Sequence, residues 1–162
     1  MPDSIFTMSM LTSVPAMRLA SVGTPASELP VPPIVSNPDV LPHIESLRRN
    51  QVMLPRCQEC LAVIWYPRRV CPAFGGRTIT WFRATGHGTI YSHTLVHRGV
   101  GAYQSAIPYI LAQVELDEGT RVLTNIITPG NEVAIGMSVQ AVINLDDETP
   151  ILRFEAAPCR TA

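Results

Sequence analysis

Two cysteine turns in the middle of the chain constrain its folding more than any other feature. Residues 51–77 read Q-V-M-L-P-R-C-Q-E-C-L-A-V-I-W-Y-P-R-R-V-C-P-A-F-G-G-R. Cys57 and Cys60 form a C-x-x-C, and after ten intervening residues comes Cys71-Pro72-Ala73-Phe74-Gly75-Gly76. A zinc ribbon uses two such knuckles, C-x-x-C and C-P-x-C-G, each presenting two thiolates from one turn, so that four close a tetrahedron around Zn²⁺. Here the first knuckle is complete. The second keeps its Cys, Pro and Gly but has Phe74 where the fourth ligand belongs. Structural zinc sites are closed four-ligand sets as a rule, so two outcomes stand open. Either zinc is held by Cys57, Cys60 and Cys71 with water or a distant ligand (Cys159 or a His), or the metal is lost and Phe74 plugs the knuckle by apolar packing. A ribbon shape over 51–77 is expected in both cases. A thioredoxin-like redox role fits less well. Such motifs sit at a strand-to-helix junction, whereas here a strand-like run, Leu61–Tyr66, follows the C-x-x-C. Cys159 reads as an ordinary free thiol in the tail.

The segments before the ribbon look simpler. The first 42 residues hold 8 of the 15 prolines, and no Phe, Tyr or Trp occurs from Thr7 to Ile64. Cores draw heavily on aromatic residues, so this aromatic-free stretch is expected to add little to the interior, with residues 1–34 as a flexible extension. No Arg precedes Arg18, and Pro15 interrupts the early apolar run. Neither a signal peptide nor an Arg-rich presequence matches that pattern, and a cytoplasmic location is expected. Residues 35–50 carry an amphipathic helix, placed at 39–50, with Leu41, Ile44 and Leu47 at helical spacing after Asn37-Pro38-Asp39.

After residue 78 the pattern becomes one of strands. Alternating or β-branched runs cover 78–85, 89–98, 108–116, 121–127, 138–145 and 151–154, with turns at Gly86-His87-Gly88, Asp117–Thr120 and Asp146–Pro150. Five or six short strands over residues 78–157 suit a small Greek-key barrel of the OB type, leaving 158–162 as a tail. The expected fold is therefore mainly β: a short N-terminal helix, a zinc ribbon that lacks one ligand, and a C-terminal OB-fold barrel.

Charge removes several functions from consideration. All 12 basic residues are Arg, 13 residues are acidic, and the formal net charge is −1. A nucleic-acid binder needs clustered positive charge to neutralise phosphates, so no nucleic-acid partner is expected. No run approaches the roughly 20 apolar residues that a membrane span requires. Candidate chemistry in the β region is sparse. His93 and His97 would share a strand face about 13 Å apart, too far for one metal ion. Glu115, Asp117 and Glu118 read as a solvated hairpin rim. No nucleophile elbow or phosphate-binding glycine loop is present, and no catalytic residue is assigned to this chain.

The helix, "C-Q-E-C", "W-Y-P-R-R-V-C-P", "G-H-G-T-I-Y-S", "P-Y-I-L-A-Q-V-E-L-D-E-G-T-R-V-L-T-N" and "I-G-M-S-V" occur in that order. Together, over about residues 38–156, they resemble the rubredoxin-like zinc ribbon plus OB-fold family catalogued as domain of unknown function 35. Phe74 departs from that family's fourth zinc cysteine. The resemblance implies a non-catalytic subunit that assembles with a thiolase-superfamily enzyme, such as a thiolase or a sterol-carrier-type aldolase. The partner would supply the catalytic Cys and His, and this chain would help shape a channel for acyl-CoA. On that reading Arg68, Arg69, Arg98 and Arg121 are candidate contacts for CoA phosphates or acidic partner residues, because guanidinium suits bidentate pairing. Trp65 and Tyr66 are candidates for a docking face, and Trp81 reads as core. The rival expectations are a nucleic-acid-binding ribbon/OB module and a free-standing acyl-CoA-binding protein.

Overall fold

Period-two alternation governs the second half of the chain, and the strands follow it. The computed structural model describes residues 29–31, 37–128, 133–145 and 149–157. Its elements are α1 (Leu41–Arg48), β1 (Met53–Cys57), β2 (Ile79–Arg83), β3 (His87–Val96), a 3₁₀ turn (Gly101–Gln104), β4 (Tyr109–Leu116), β5 (Arg121–Ile127), β6 (Ser138–Asn144) and β7 (Ile151–Ala156).

Five strands close a barrel in the order β3-β4-β5-β7-β6, and β6 returns to β3 where Ser138–Gln140 faces His87–Thr89. Every pairing in the barrel is antiparallel except β5 with β7, which runs parallel at Ile126↔Phe154 and Ile127↔Glu155. This is the OB-fold, and closure removes the exposed sheet edges that invite aggregation. β4 shows how alternation builds the interior: Ile110, Ala112, Val114 and Leu116 point in, and Gln113 and Glu115 point out. They meet Ile90, Val122, Ile126, Val139 and Phe154 in one core. Alternation fades at the barrel rim, where Leu145 lies beyond β6 and is exposed. Gly88 marks the tightest strand contact, since a Cβ there would stand 2.6 Å from the Glu115 carbonyl oxygen.

Three expectations need adjustment. The run at 78–85 does not join the barrel. As β2 it pairs with β1, with Met53↔Arg83, Pro55↔Trp81 and Cys57↔Ile79 in register, and the barrel begins at His87. Pro55 conceals β1 in the sequence, yet a two-stranded ribbon has edges on which a missing N–H is tolerated. The run Leu61–Tyr66 contributes only an isolated bridge, Arg56↔Val63, because the first knuckle consumes Leu61 at φ +61°.

The aromatic-poor stretch also adds more to the interior than expected. Leu29, Val40, Ile44, Leu47, Val52 and Leu54 are all buried. Leu29 is tied down by Arg153 of β7, a buried guanidinium whose Nη2 donates to the carbonyls of Leu29 (2.9 Å) and Pro30 (3.2 Å). Helix α1 is bound to the ribbon by His43, whose Nδ1 donates to the Met53 carbonyl at 2.9 Å. Asn50, at φ +54°, turns the chain out of the helix towards β1. Residues 1–28 of the expected extension, the 158–162 tail and Cys159 lie outside the described residues. Among the described residues, no helix is long and apolar enough to cross a membrane.

Candidate metal centre and arginine pocket

The ribbon carries two knuckles with matching backbone hydrogen bonds. In the first, Leu61 N–H donates to the Cys57 carbonyl (2.9 Å) and Cys57 N–H to the Ala62 carbonyl (3.0 Å). In the second, Gly75 N–H donates to the Cys71 carbonyl (2.8 Å) and Cys71 N–H to the Gly76 carbonyl (2.9 Å). The chain takes positive φ at Leu61 and at Gly75 (+77°), the equivalent positions. Superposing the two patterns places Phe74 at the position of Cys60.

The Sγ atoms of Cys57, Cys60 and Cys71 lie within 4.8 Å of one another, and those of Cys60 and Cys71 are 3.5 Å apart. Zn–S bonds of about 2.3 Å in a tetrahedron require sulfur separations of about 3.8 Å, so three thiolates are placed to hold zinc. The surroundings act differently on Cys71 and Cys60. At Cys71 burial opposes ionisation, but the amides of Phe74 and Ala73 and the thiols of Cys60 and Cys57 bond to the sulfur, and its pKa falls below the usual thiol value. At Cys60 the Ala62 amide favours the thiolate, yet the Cys71 thiol, desolvation and Cys57 together push the pKa up. Phe74 does not plug the centre: its side chain is turned to solvent, 63% exposed. That corrects the packing alternative and leaves Cys57, Cys60 and Cys71 as the residues that could hold a metal ion. Among the described residues, no His, Asp or Glu donor joins this cluster.

The candidate arginines separate. Arg121 lies on β5, paired with Glu115 at 2.7 Å and stacked 3.4 Å over the ring of Tyr91, so the barrel wall already occupies it. Arg98 follows β3 and is exposed. Arg68 and Arg69 come together with Arg77 around a pocket of about 230 Å³, whose wall includes Asp39, Ile79 and Trp81. Asp39 holds Arg69, with its carboxylate 2.8 Å from Nε and accepting the Arg69 N–H at 3.3 Å. Arg77, Ile79 and Trp81 are alternate residues facing one side of β2 and its approach. Trp81 therefore lines this pocket and is only half-buried, contrary to the core position expected of it, and Arg77 joins it through a period-two pattern that the sequence carries. Phe82, on the opposite face, packs on the core instead, with Arg56 stacked 4.1 Å over its ring.

Trp65 and Tyr66 also part company. Trp65 packs edge-on against His43 at 5.3 Å and joins the core, while Tyr66 is 51% exposed. Leu61, Val70 and Phe74 of the same ribbon segment are exposed too. The acidic residues of the β4–β5 hairpin have structural partners: Glu118 accepts from the Thr85 N–H (2.7 Å) and hydroxyl (3.0 Å), tying the hairpin to the β2–β3 link. The larger groove, about 720 Å³ beside that link, lacks a comparable cluster of like charges.

Comparison with known proteins bears on the whole arrangement. The family described as "ChsH2, C-terminal OB-fold domain" matches residues 81–144. A "DUF35 domain-containing scaffold protein" of Methanocaldococcus jannaschii is 33% identical over 89 residues, which cover 54% of this chain and 63% of that protein. A "Probable enoyl-CoA hydratase alpha subunit" of Thermomonospora curvata is 32% identical over 97 residues, covering 59% of this chain and 30% of that protein. The chain thus spans less than two thirds of the length of these two relatives. Among solved structures, a chain of the "Ltp2-ChsH2(DUF35) aldolase" superposes with a TM-score of 0.65 at 30% identity, covering 77% of this chain and 98% of that one. A DUF35 protein of Sulfolobus solfataricus shares the fold at a TM-score of 0.55 and 14% identity, covering 75% of this chain and 87% of that one. With its ribbon knuckles, its OB barrel and its match to nearly the whole of a solved DUF35 chain, this protein belongs to the DUF35 family.

Proposed function

We propose that this chain is a non-catalytic subunit of a thiolase-superfamily enzyme, a thiolase or a sterol-carrier-type aldolase, that acts on acyl-CoA thioesters. The observation that carries the reading is the match to 98% of the DUF35 chain of the "Ltp2-ChsH2(DUF35) aldolase". The naming of the Thermomonospora curvata relative as an enoyl-CoA hydratase subunit supports acyl-CoA as the substrate class.

On this reading the partner holds the thioester and stabilises charge on its carbonyl oxygen. This chain orders loops around that site and keeps water out. The ribbon tip is the docking surface. Leu61, Tyr66 and Phe74 are each more than half exposed and all belong to the ribbon segment. Large apolar side chains left exposed in one segment favour burial against another protein. Trp65 supports the face from behind through its contact with His43. Three thiolates holding zinc would brace both knuckles, so the metal's part is to stiffen the docking tip.

The test is co-expression with a thiolase-superfamily partner, followed by size-exclusion chromatography and an assay of C–C bond cleavage. The reading predicts a co-eluting complex and a partner that loses activity when this chain is left out. A partner that is equally active alone and elutes separately would refute it.

A further inference from the structure

We infer that Cys60 and Cys71 are a peroxide-sensitive thiol pair: joined as a disulfide they no longer hold a metal ion, and the ribbon tip loses its fit to a partner. The thiol pair rests on the ribbon's own geometry; the effect on docking rests on the subunit reading above.

The three cysteines differ in access. Cys60 is exposed, whereas Cys57 and Cys71 are buried, at 0% and 1% exposure, in a small apolar cluster with Ile64 and Ile79. A dissolved oxidant therefore meets the Cys60 sulfur first, since access selects which thiols are oxidised. The Cys71 sulfur stands 3.5 Å from it. An exposed attacking thiol in contact with a shielded one converts a sulfenic acid into a disulfide before a further oxidation reaches it. The pair also spans the two knuckles, with Cys60 at the end of the first C-x-x-C and Cys71 opening the second turn.

One molecule of hydrogen peroxide per pair balances the chemistry. The Cys60 sulfur attacks the O–O bond, which breaks to give a sulfenic acid and water. The Cys71 sulfur then displaces the sulfenic oxygen, the S–S bond forms, and that oxygen departs as a second water. The two sulfurs give up two electrons to the peroxide, and the two thiol protons end on the waters. Where the sulfurs start as metal-bound thiolates, solvent supplies those protons.

Two consequences follow from the position of this pair. The cross-link consumes two of the three sulfurs and leaves Cys57 as the last ligand of the cluster. A centre with a cysteine in place of Phe74 would keep two. Structural zinc needs several protein ligands, so disulfide and metal exclude one another here. Closing the sulfur pair from 3.5 Å to about 2.05 Å also draws the two turns together by about 1.5 Å. Each turn is tied by its own backbone hydrogen bonds, Leu61 N–H to the Cys57 carbonyl and Gly75 N–H to the Cys71 carbonyl, so each moves as a unit. The exposed Leu61 and Phe74 ride one on each turn. Their spacing changes with the cross-link, and interface cores depend on close shape complementarity.

The test treats the full chain, metal-free and zinc-loaded, with an equivalent of hydrogen peroxide. Non-reducing peptide mapping by mass spectrometry locates the cross-link, a chromophoric chelator follows zinc, and size-exclusion chromatography with a thiolase-superfamily partner follows docking. The proposal predicts a Cys60–Cys71 disulfide, zinc released in step with it, and recovery of both thiols on adding dithiothreitol. The oxidised chain should bind the partner about fivefold more weakly. Cys60→Ser should leave Cys71 reduced, because no exposed sulfur then remains in the cluster, and circular dichroism reports whether this variant folds. A disulfide through Cys57 or Cys159, a sulfinic acid at Cys60 beside an unreacted Cys71, or zinc retained by the oxidised chain overturns the proposal. A Cys60–Cys71 disulfide with undiminished docking overturns the effect on docking. No association in either redox state sinks the subunit reading and leaves the thiol pair standing.

Discussion

Replacing Phe74 by Cys should turn a three-ligand centre into a four-ligand one. The two knuckles share their backbone hydrogen bonds, with distances of 2.9 and 3.0 Å in one against 2.8 and 2.9 Å in the other, so residue 74 stands to Cys71 as Cys60 stands to Cys57. By that equivalence a thiol at residue 74 would face the other three sulfurs, which lie within 4.8 Å of one another. Removing the ring sacrifices little packing because Phe74 is mostly in solvent, and such surface changes alter stability by about 0.5 kcal/mol or less. Structural zinc contributes about 10–16 kcal/mol through four ligands, or very roughly 3 kcal/mol for each. Allowing for the ligand that the fourth thiolate displaces, zinc affinity should rise about a hundredfold. Competition against a chromophoric chelator measures this, with Phe74→Ala as the control that removes the ring without adding a donor. Cobalt substitution gives a second readout, because thiolate-to-metal charge-transfer absorption should grow by about a third when the fourth sulfur binds. If Phe74→Cys and Phe74→Ala bind zinc with the same affinity, the knuckle equivalence is wrong and the three-thiolate account falls with it.

Tyr66→Ala should weaken association with the partner by fivefold or more, while the melting temperature of the isolated chain stays unchanged, because this ring is exposed and belongs to the docking tip; an unchanged complex in analytical ultracentrifugation would remove the ribbon from the interface. His43 should make stability depend on pH. Burial lowers its pKa, opposed in part by the hydrogen bond to Met53, so the folded chain takes up its proton at lower pH than the unfolded chain does. The His43 contribution is then complete above about pH 6.5 and is lost as the pH falls from there through the folded value. Urea titrations at several pH values should show this loss in the wild type and a flatter profile in His43→Leu; parallel profiles would contradict the assignment. Gly88→Ala should destabilise the barrel by about 1–3 kcal/mol, since its Cβ would meet the Glu115 carbonyl oxygen of the neighbouring strand at 2.6 Å. Unfolding of this variant at the wild-type denaturant midpoint would show that the strands separate more freely there than the packing implies.

Legibility in the sequence followed the strength of local signals. The barrel could be read because its strands alternate and their turns carry Gly, Asp and Pro, as in β4 and the hairpin after it. The cysteine centre was legible from spacing, including the departure at Phe74. What failed was long-range. Nothing local says that β2 pairs backwards with a proline-containing β1 instead of joining the barrel. Leu29 reaches the interior through a buried Arg153 that lies 124 residues away in the sequence, and an aliphatic run without aromatics gave no hint of it. The same limit applies to the arginines. Guanidinium chemistry alone does not separate them, and it takes the fold to pair Arg121 with Glu115 and to bring Arg77 to the pocket of Arg68 and Arg69.

Titrating a purified thiolase-superfamily partner with increasing amounts of this chain, and following acyl-CoA turnover, tests the account most directly. It predicts negligible turnover by this chain alone and a partner rate that climbs to a plateau at a fixed molar ratio. A partner rate indifferent to the added chain, or turnover by this chain with no partner present, would contradict it.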